Sequence, residues 1–357
     1  MKKIIVFSAV MLGAGGSVLA QENKLAISGY TEIYYQQDFN NPTNNARPGF
    51  IYSHNRNNEV SLNLGVIKAT YNTGNLKMNL GLGVGSYMNA NYAGEEGVLK
   101  NVYEANISLK LSKEHNLWLE AGILPSHIGF ESAVGADCFT LTRSIMAENS
   151  PYFETGTRLS YVTPDKKWQM VLLVLNGWQR IQRQDGNTTP AFGHQLVFKP
   201  NEKITLNSSS FIGNDAPEEI RKMRYFHDLY GQFQLTDKFT LIGGFDIGIQ
   251  QKEKKTNQYD IWYAPALIMK CALTDKLSMT ARGEYYNDES GVIASTDQSD
   301  GVQIFGASFN VDYKILPNLY WRTEIKGLRD KNVLFVNREN KLRKDNQSIT
   351  TSIAVYF

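Results

Sequence analysis

Apolar and polar residues alternate one by one along most of this chain of 357 residues. One such run covers residues 277–285, where Leu277 and Met279 alternate with Ser278 and Thr280. Successive side chains of a β-strand point to opposite faces, so this period predicts a strand with one apolar and one polar face. Similar runs recur from the N-terminal third to the last residues, and the pattern therefore predicts an all-β fold.

The alternation predicts about sixteen strands, and the lengths of the connections between them indicate their arrangement. The predicted strands cover residues 24–38, 58–72, 75–88, 101–111, 116–124, 154–163, 167–176, 191–200, 203–213, 223–236, 238–251, 257–273, 276–288, 300–315, 318–328 and 346–357. Short connections, such as 73–74, alternate without a break with long ones, such as 39–57. Short periplasmic turns and long extracellular loops are typical of a transmembrane antiparallel β-barrel. About sixteen strands is a number that leaves an aqueous channel.

The first residues have the features of a secretory signal peptide. Met1-Lys2-Lys3 is basic, Ile4 to Leu12 is apolar, and Val18-Leu19-Ala20 precedes Gln21. The apolar run is too short to cross a bilayer, which takes ~20 residues. We expect residues 1–20 to be removed and residues 21–357 to form a barrel in the outer membrane of a Gram-negative bacterium.

Composition changes this picture only slightly. The chain has 37 basic and 35 acidic residues, a balance that gives no support for a nucleic-acid partner. Its 19 Tyr and 17 Phe fit the aromatic girdles that barrels carry at both membrane interfaces. Whether its two cysteines, Cys138 and Cys271, form a disulfide stays open at this stage.

The longest connection, residues 125–153, is the third long one from the N-terminus. Connections in compact domains usually have ~4–6 residues, and much longer ones are functional or disordered. This one resembles the third loop of general porins, which folds into the barrel and narrows the channel. An ordinary surface loop is the alternative. In the inward arrangement its charged residues are expected to face the narrowed opening: Glu131, Asp137, Arg143 and Glu148.

The polar faces of the predicted strands bring charges of both signs into the barrel. The predicted pore-lining residues are Glu32, Glu104, Glu120, Arg158, Asp246, Arg282, Glu284, Arg322, Glu324 and Lys326. Charged walls keep a channel hydrated and set the field across it, which favours a water-filled lumen. In the alternative, neighbours such as Arg282 and Glu284 neutralise each other in a filled interior. Because the two signs nearly cancel, the ion preference stays open.

The last strand carries a second kind of signal. Ile353, Val355 and Phe357 lie on one face, and the sequence ends on this aromatic residue. This pattern resembles the C-terminal signal that the outer-membrane insertion machinery recognises. Barrel closure also requires this strand, because an unpaired strand edge in lipid leaves backbone groups without hydrogen bonds.

Residues 120–180 carry a further resemblance. Their motifs are Gly122…Pro125…Gly129-Phe130-Glu131, Thr142-Arg143-Ser144, Ser150-Pro151-Tyr152-Phe153, Gly156-Thr157-Arg158-Leu159-Ser160-Tyr161 and Leu175-Asn176-Gly177-Trp178. With these motifs the chain resembles the OmpL-like family of β-barrel porins. The resemblance implies an outer-membrane channel of unassigned substrate.

Two other classes of function compete with a channel. A barrel hydrolase needs a positioned His, but His227 and Asp228 point to opposite faces of a strand, and His54 and His127 lie in loops without a fixed carboxylate partner. No Cys/His cluster has zinc spacing, so no catalytic residue, metal site or cofactor is predicted. A closed barrel that binds partners through its loops is the second alternative, since the net-basic loop 329–345 could contact lipopolysaccharide.

The sequence favours a non-enzymatic outer-membrane porin, a passive diffusion channel for small hydrophilic solutes, surrounded by outer-membrane lipids. The transported solute, and whether the barrel is a monomer or a homo-oligomer, stay open at this stage.

Overall fold

The computed structural model describes residues 24–294, 296 and 301–357. The predicted signal peptide, residues 1–20, lies outside the described residues, so its removal stays a prediction. In the described part of the chain, no helix is both long and apolar enough to span a bilayer.

Sixteen strands form a closed antiparallel barrel, as the alternation predicts. They are β1 (Leu25–Asp38), β2 (Val60–Asn72), β3 (Leu76–Val84), β4 (Val102–Lys110), β5 (Asn116–Pro125), β6 (Phe153–Val162), β7 (Trp168–Leu175), β8 (Ala191–Asn201), β9 (Ile204–Asn214), β10 (Met223–Gln234), β11 (Phe239–Gln251), β12 (Tyr259–Ala272), β13 (Leu277–Asp288), β14 (Val302–Leu316), β15 (Leu319–Asp330) and β18 (Asp345–Tyr356). A small hairpin, β16 (Phe335–Val336) and β17 (Leu342–Arg343), lies in the last long loop and was not predicted.

The first and last barrel strands pair with each other and close the sheet. Ile33 of β1 is opposite Ile353 of β18, and the backbone N–H groups of Gly29 and Phe357 each donate to the other residue's carbonyl oxygen, at 3.0 and 3.1 Å. Closure leaves no barrel edge unpaired, which is what the hydrocarbon interior of a membrane demands.

The two faces of each strand differ as the alternation predicts. On β1, Ile33 is exposed on the outer surface while its neighbour Glu32 is fully buried on the inner side. On β15, Ile325 is exposed, whereas Glu324 and Lys326 are buried. An apolar outer band and a polar interior are the arrangement of a transmembrane barrel.

The third strand ends earlier than predicted. The sequence predicts a strand to residue 88, but β3 ends at Val84 and the chain turns into a short helix, α1 (Ser86–Asn91). Gly85 makes this turn with φ 121°, and a Cβ at this position would lie 2.5 Å from the Asn63 carbonyl oxygen. Glycine alone tolerates both the left-handed backbone and the close approach.

Residues 126–152, which join β5 to β6, are here called the third loop. The loop contains a 3₁₀ turn, Gly135–Asp137, and a helical turn, α2 (Ile145–Glu148). Ser144 caps α2 by accepting a hydrogen bond from the Ala147 backbone N–H at 3.1 Å. Ile145 and Met146 belong to a buried apolar cluster that includes residues of the barrel wall, so a core fills part of the interior.

Candidate functional site: the barrel interior and the third loop

Inward-pointing side chains of the wall hold the backbone of the third loop. Arg322 of β15 donates to the carbonyl oxygens of Gly135 at 2.5 Å and Cys138 at 3.0 Å. Lys326, four residues further along the same strand, donates to the Arg143 carbonyl oxygen at 3.0 Å. Since these side chains point into the barrel, the third loop lies in its interior.

Carboxylates of the wall bind backbone N–H groups of the same loop. Glu324 accepts from the Thr142 N–H and Glu284 accepts from the Ile145 N–H, both at 2.6 Å. Arg282 lies between them, donating to the Thr142 carbonyl at 2.7 Å and to Glu324 at 3.0 Å. Charge-assisted hydrogen bonds of this kind are about twice as strong as neutral ones, so the wall and the loop form one network.

This network corrects part of the pore-lining prediction. Six of the ten predicted residues are buried against the third loop instead of facing open water: Glu32, Arg282, Glu284, Arg322, Glu324 and Lys326. Within the group, Arg282 lies 3.3 Å and Lys326 3.2 Å from Glu284. The alternative of mutual neutralisation in a filled interior describes four of them, whereas Glu32 pairs with His54 and Arg322 with Asp312. Strand periodicity places a side chain inside the barrel, but the loop decides whether water reaches it.

The other four predicted lining residues are also on inward faces, away from these contacts. Glu120 and Arg158 form a partly exposed pair at 2.5 Å. Glu104 accepts from Lys68 at 2.5 Å, and Asp246 lies directly opposite the buried Asp228 in the β10–β11 register. Whether these four line a solute path stays a prediction.

Two of the four predicted constriction residues do not face an opening. Arg143 is fully buried and donates to the carbonyl oxygens of Ser132 and Leu141, each at 2.7 Å, and of Ala133 at 3.2 Å. It therefore cross-links the loop to itself. The prediction that Arg143 faces the opening is wrong, because the loop surrounds its guanidinium with backbone acceptors.

Glu148 is the second of these corrections. Its buried carboxylate accepts from the backbone N–H groups of Tyr52 at 2.9 Å and Ser53 at 3.0 Å, and so ties the third loop to residues 39–59, here called the first loop. Burial raises the pKa of Glu148, although the two N–H donors oppose the rise.

Glu131 and Asp137, by contrast, line a gap between the third loop and the wall. The gap has a volume of about 30 Å³, and its remaining lining residues are Phe130, Phe139, Gln232, Ile242 and Ile268. Glu131 accepts from the Ser144 N–H at 3.0 Å and from its hydroxyl, and its side chain is only 3% exposed, so the carboxylate lies on the buried side of the gap. A space of this size holds one or two water molecules.

Two buried His–carboxylate pairs were missed by the sequence analysis. His54 Nε2 lies 3.2 Å from Glu32, and His127 Nδ1 lies 2.8 Å from Glu154. The statement that these histidines lack a carboxylate partner is wrong. The second pair had a detectable signal: β5 and β6 are neighbours with Leu124 opposite Glu154, so the start of the third loop returns to this carboxylate.

The His127 pair predicts a pH-dependent stability. Burial lowers the pKa of His127, but Glu154 and the bond to the Ser210 carbonyl outweigh it, and the pKa is raised above its ordinary value. The stabilisation is therefore complete below about pH 6.5, the ordinary pKa, and is lost as the pH rises through the raised one.

We expect the thermal unfolding midpoint of the refolded barrel to fall as the pH rises above about 6.5, and His127→Gln to remove part of that fall. His115→Gln, in the exposed short turn between β4 and β5, serves as the matched control and should leave the slope unchanged. An unaltered slope in His127→Gln would contradict the assignment.

The two cysteines are free and lie on different sides of the wall. Cys138 is buried in the third loop, whereas Cys271 alternates with inward Lys270 and lies on the outer face of β12. They are therefore not positioned to form a disulfide. Burial raises the pKa of Cys138 to about 11.

This burial predicts an unreactive thiol. In a Cys271→Ser background at pH 8, a soluble alkylating reagent should modify Cys138 orders of magnitude more slowly in the folded barrel than in the denatured chain, because the thiolate is scarce and covered. Labelling at equal rates in the two states would show that the third loop is not docked as described.

Two sequence predictions remain, the C-terminal insertion signal and the absence of a metal site. Ile353, Val355 and Phe357 lie on the outer face of the closing strand; their recognition by insertion machinery stays a prediction. Among the residues that the structure describes, no group of three or more His, Cys, Asp or Glu side chains is arranged to hold a metal ion.

A closed barrel of sixteen tilted antiparallel strands, apolar outside and polar inside, with a long loop folded into its interior, is the architecture of outer-membrane porins. Comparison with protein families matches residues 24–357 to the family described as "Putative beta-barrel porin-2, OmpL-like", and the chain belongs to this family. The resemblance in residues 120–180 is thereby confirmed. A comparison with curated protein sequences finds no similar protein.

Solved structures with the same fold are distant in sequence. The anion-selective porin from Comamonas acidovorans is 10% identical, with a TM-score of 0.59 over 93% of this chain and 99% of that one. The outer membrane channel DcaP of Acinetobacter baumannii is 11% identical, with a TM-score of 0.59 over 93% and 97%. OmpT expressed in the outer membrane of Vibrio cholerae is 7% identical, with a TM-score of 0.60 over 93% and 97%. At these identities the likeness shows the fold alone.

Proposed function

We propose that this porin-family barrel is a passive diffusion channel for small hydrophilic solutes, and that residues 125–153 form its constriction. The observation that carries the proposal is the third loop, which crosses the interior of a barrel too wide to be filled by wall side chains alone. Polar and charged wall residues anchor it at Gly135, Thr142 and Ile145, leaving a gap lined by Glu131 and Asp137.

The known proteins that share the fold support transport. One of them is named as an anion-selective porin and another as an outer membrane channel. Diffusion through such a path needs no covalent step, cofactor or energy source.

One observation favours the second candidate, a closed barrel that binds partners through its outer loops. The third loop, α1 and the first loop together bury much of the interior, and a cavity of about 240 Å³ opens beside Arg47, Arg56 and Ala90 on the loop side. A hydrolase is not favoured, because His127 is engaged at both ring nitrogens by Glu154 and the Ser210 carbonyl.

The setting of the channel follows from the family and the fold. We infer that the barrel sits in the outer membrane of a Gram-negative bacterium after removal of residues 1–20, with lipopolysaccharide against the outer half of its apolar band. A homo-oligomer is also proposed, since one structure of OmpT from Vibrio cholerae is a trimer form.

Liposome swelling tests this function directly. Liposomes that contain the refolded barrel should swell in small neutral solutes such as glycine or arabinose, and the rate should fall steeply with solute size because the third loop narrows the path. Folded barrels that cause no more swelling than empty liposomes would favour the closed binding barrel instead.

A further inference from the structure

Five inward-facing lysines lie at the periplasmic end of the barrel. Each is within three residues of a strand end at a short turn: Lys77 on β3, Lys110 on β4, Lys199 on β8, Lys270 on β12 and Lys314 on β14. In the order of strands around the barrel, each lysine-bearing strand lies one, four, four, two and five positions from the next, so that β3 and β4 are direct neighbours. They therefore form a ring, here called the lysine ring, and not a patch on one side.

The contacts of the ring residues fix their direction. Lys77 lies over the ring of Trp118 at 4.3 Å, and Lys270 lies over Phe139 of the third loop at 4.9 Å. Lys314 lies over Tyr320, its partner in the β14–β15 register, at 5.8 Å. Lys110 and Lys199 share their strand faces with inward Ser108 and Val197. These ammonium groups therefore project toward the lumen below the third loop.

The lysine ring has no carboxylate within ion-pair distance in the described residues, although Lys77 interacts with Glu120 and Lys270 with Asp312 at longer range. Across residues 24–294, 296 and 301–357, none of the five ammonium groups lies in an ion pair. The inward carboxylates nearest this end are occupied by other cations: Glu104 by Lys68, Glu120 by Arg158 and Asp312 by Arg322, at 2.5 to 2.7 Å.

The periplasmic turns do not cancel the charge of the ring. Each of the turns at 113–114, 165–167, 202–203, 237–238 and 275–276 carries both an acidic and a basic residue. On the third loop, Glu131 and Asp137 lie in the gap above the ring, and Glu131 is 3.8 Å from Arg282. The periplasmic mouth therefore carries five lysines that the turns do not neutralise, with the carboxylates of Glu131 and Asp137 above them.

The geometry points to an anion-binding periplasmic vestibule, in which the lysine ring collects small multivalent anions, such as phosphates and polycarboxylates, at the periplasmic mouth below the gap. Rings of Lys or Arg select anions in pores, and low-dielectric walls concentrate the field of such a ring. Exposed charges are screened over ~8 Å at physiological salt, so the effect should weaken as salt is raised. The selectivity part of this inference rests on the proposed channel function, whereas the binding part does not.

The first test is equilibrium binding of sodium tripolyphosphate to the full refolded barrel, measured by isothermal titration calorimetry at low salt. We expect the variant with all five ring lysines changed to Gln to bind several-fold more weakly, since one anion can contact neighbouring members such as Lys77 and Lys110 and each exposed ion pair is worth ~0.2–1 kcal/mol. The matched control changes five exposed outer-loop lysines to Gln and should bind as the parent does: Lys252, Lys255, Lys331, Lys341 and Lys344.

The second test is current in a planar bilayer. In a potassium chloride gradient the parent should pass chloride in preference to potassium, and tripolyphosphate should block more strongly from the periplasmic side than from the outer side. The ring variant should lose both properties, and the double variant Lys270→Gln/Lys314→Gln should lose them in part, which keeps the test open if the fivefold variant does not fold.

The outcomes separate this inference from the proposed function. Binding without any current would overturn the channel and leave the vestibule standing. Current that prefers potassium, or binding and block that are equal in the ring variant and the outer-loop control, would overturn the vestibule while leaving the channel intact.

Discussion

Replacing residues 131–148 by a short Gly-Ser linker should raise the single-channel conductance several-fold. This stretch contains both helical turns of the third loop and every backbone group that Arg322, Glu324 and Lys326 bind. Its removal leaves a sixteen-stranded wall, and a barrel of that size encloses an aqueous channel when nothing is folded into it. The freed wall charges remain paired with each other across β13 and β15, so the barrel itself should persist.

A matched control for this change is available in another long connection. Residues 253–257 form a mostly exposed outer turn between β11 and β12, and shortening it should leave the conductance as it is. Both barrels must show the circular dichroism spectrum of a β-protein and heat-modifiable migration on a gel. If their conductance is then the same with and without residues 131–148, the third loop does not limit the path.

Arg143→Met should release the third loop without deleting it. The substitution leaves the carbonyl oxygens of Ala133 and Leu141 without their donor, whereas that of Ser132 keeps the Cys138 thiol at 3.3 Å. Each buried acceptor left unpaired costs ~1–3 kcal/mol, so we expect a loss of about 3 kcal/mol or more in the stability of the docked loop. At tenfold for each ~1.4 kcal/mol, the undocked population rises about 100-fold.

Alkylation of Cys138 in a Cys271→Ser background measures that population. The Arg143 guanidinium lowers the pKa of the Cys138 thiol, so losing the charge alone would slow alkylation, and faster labelling reports exposure. Arg158→Met, which breaks a partly exposed wall pair with Glu120 away from the loop, should not change the labelling rate. An Arg143→Met rate equal to the parent's would show that Arg143 does not hold the loop closed.

The barrel was predictable because lipid imposes a simple rule on sequence. Every strand must present apolar residues to the membrane at alternate positions, and Ile325, between the charged residues Glu324 and Lys326, shows the rule at its clearest. The end of β3 was not predictable from alternation, since alternation continues through Gly85 and only the left-handed turn there starts α1.

The interior was only half predictable, for a physical reason. Strand period assigns Arg282 and Glu284 to the lumen, but a loop without period gives no sign of which wall residues it covers. Arg143 was misplaced for the same cause: its partners are backbone carbonyls that the loop brings together only when folded. The position of Glu131 at the gap was expected from the resemblance to porin loops, and its role there stays a proposal.

Single-channel recording of the refolded mature protein in a planar bilayer tests the central claim most directly. A passive channel narrowed by the third loop should give discrete, stable steps of small conductance, with current proportional to voltage near zero and no requirement for an energy source. A well-folded, heat-modifiable barrel that passes no current over the same range of voltage would contradict the account. It would favour a closed barrel that binds partners through its outer loops.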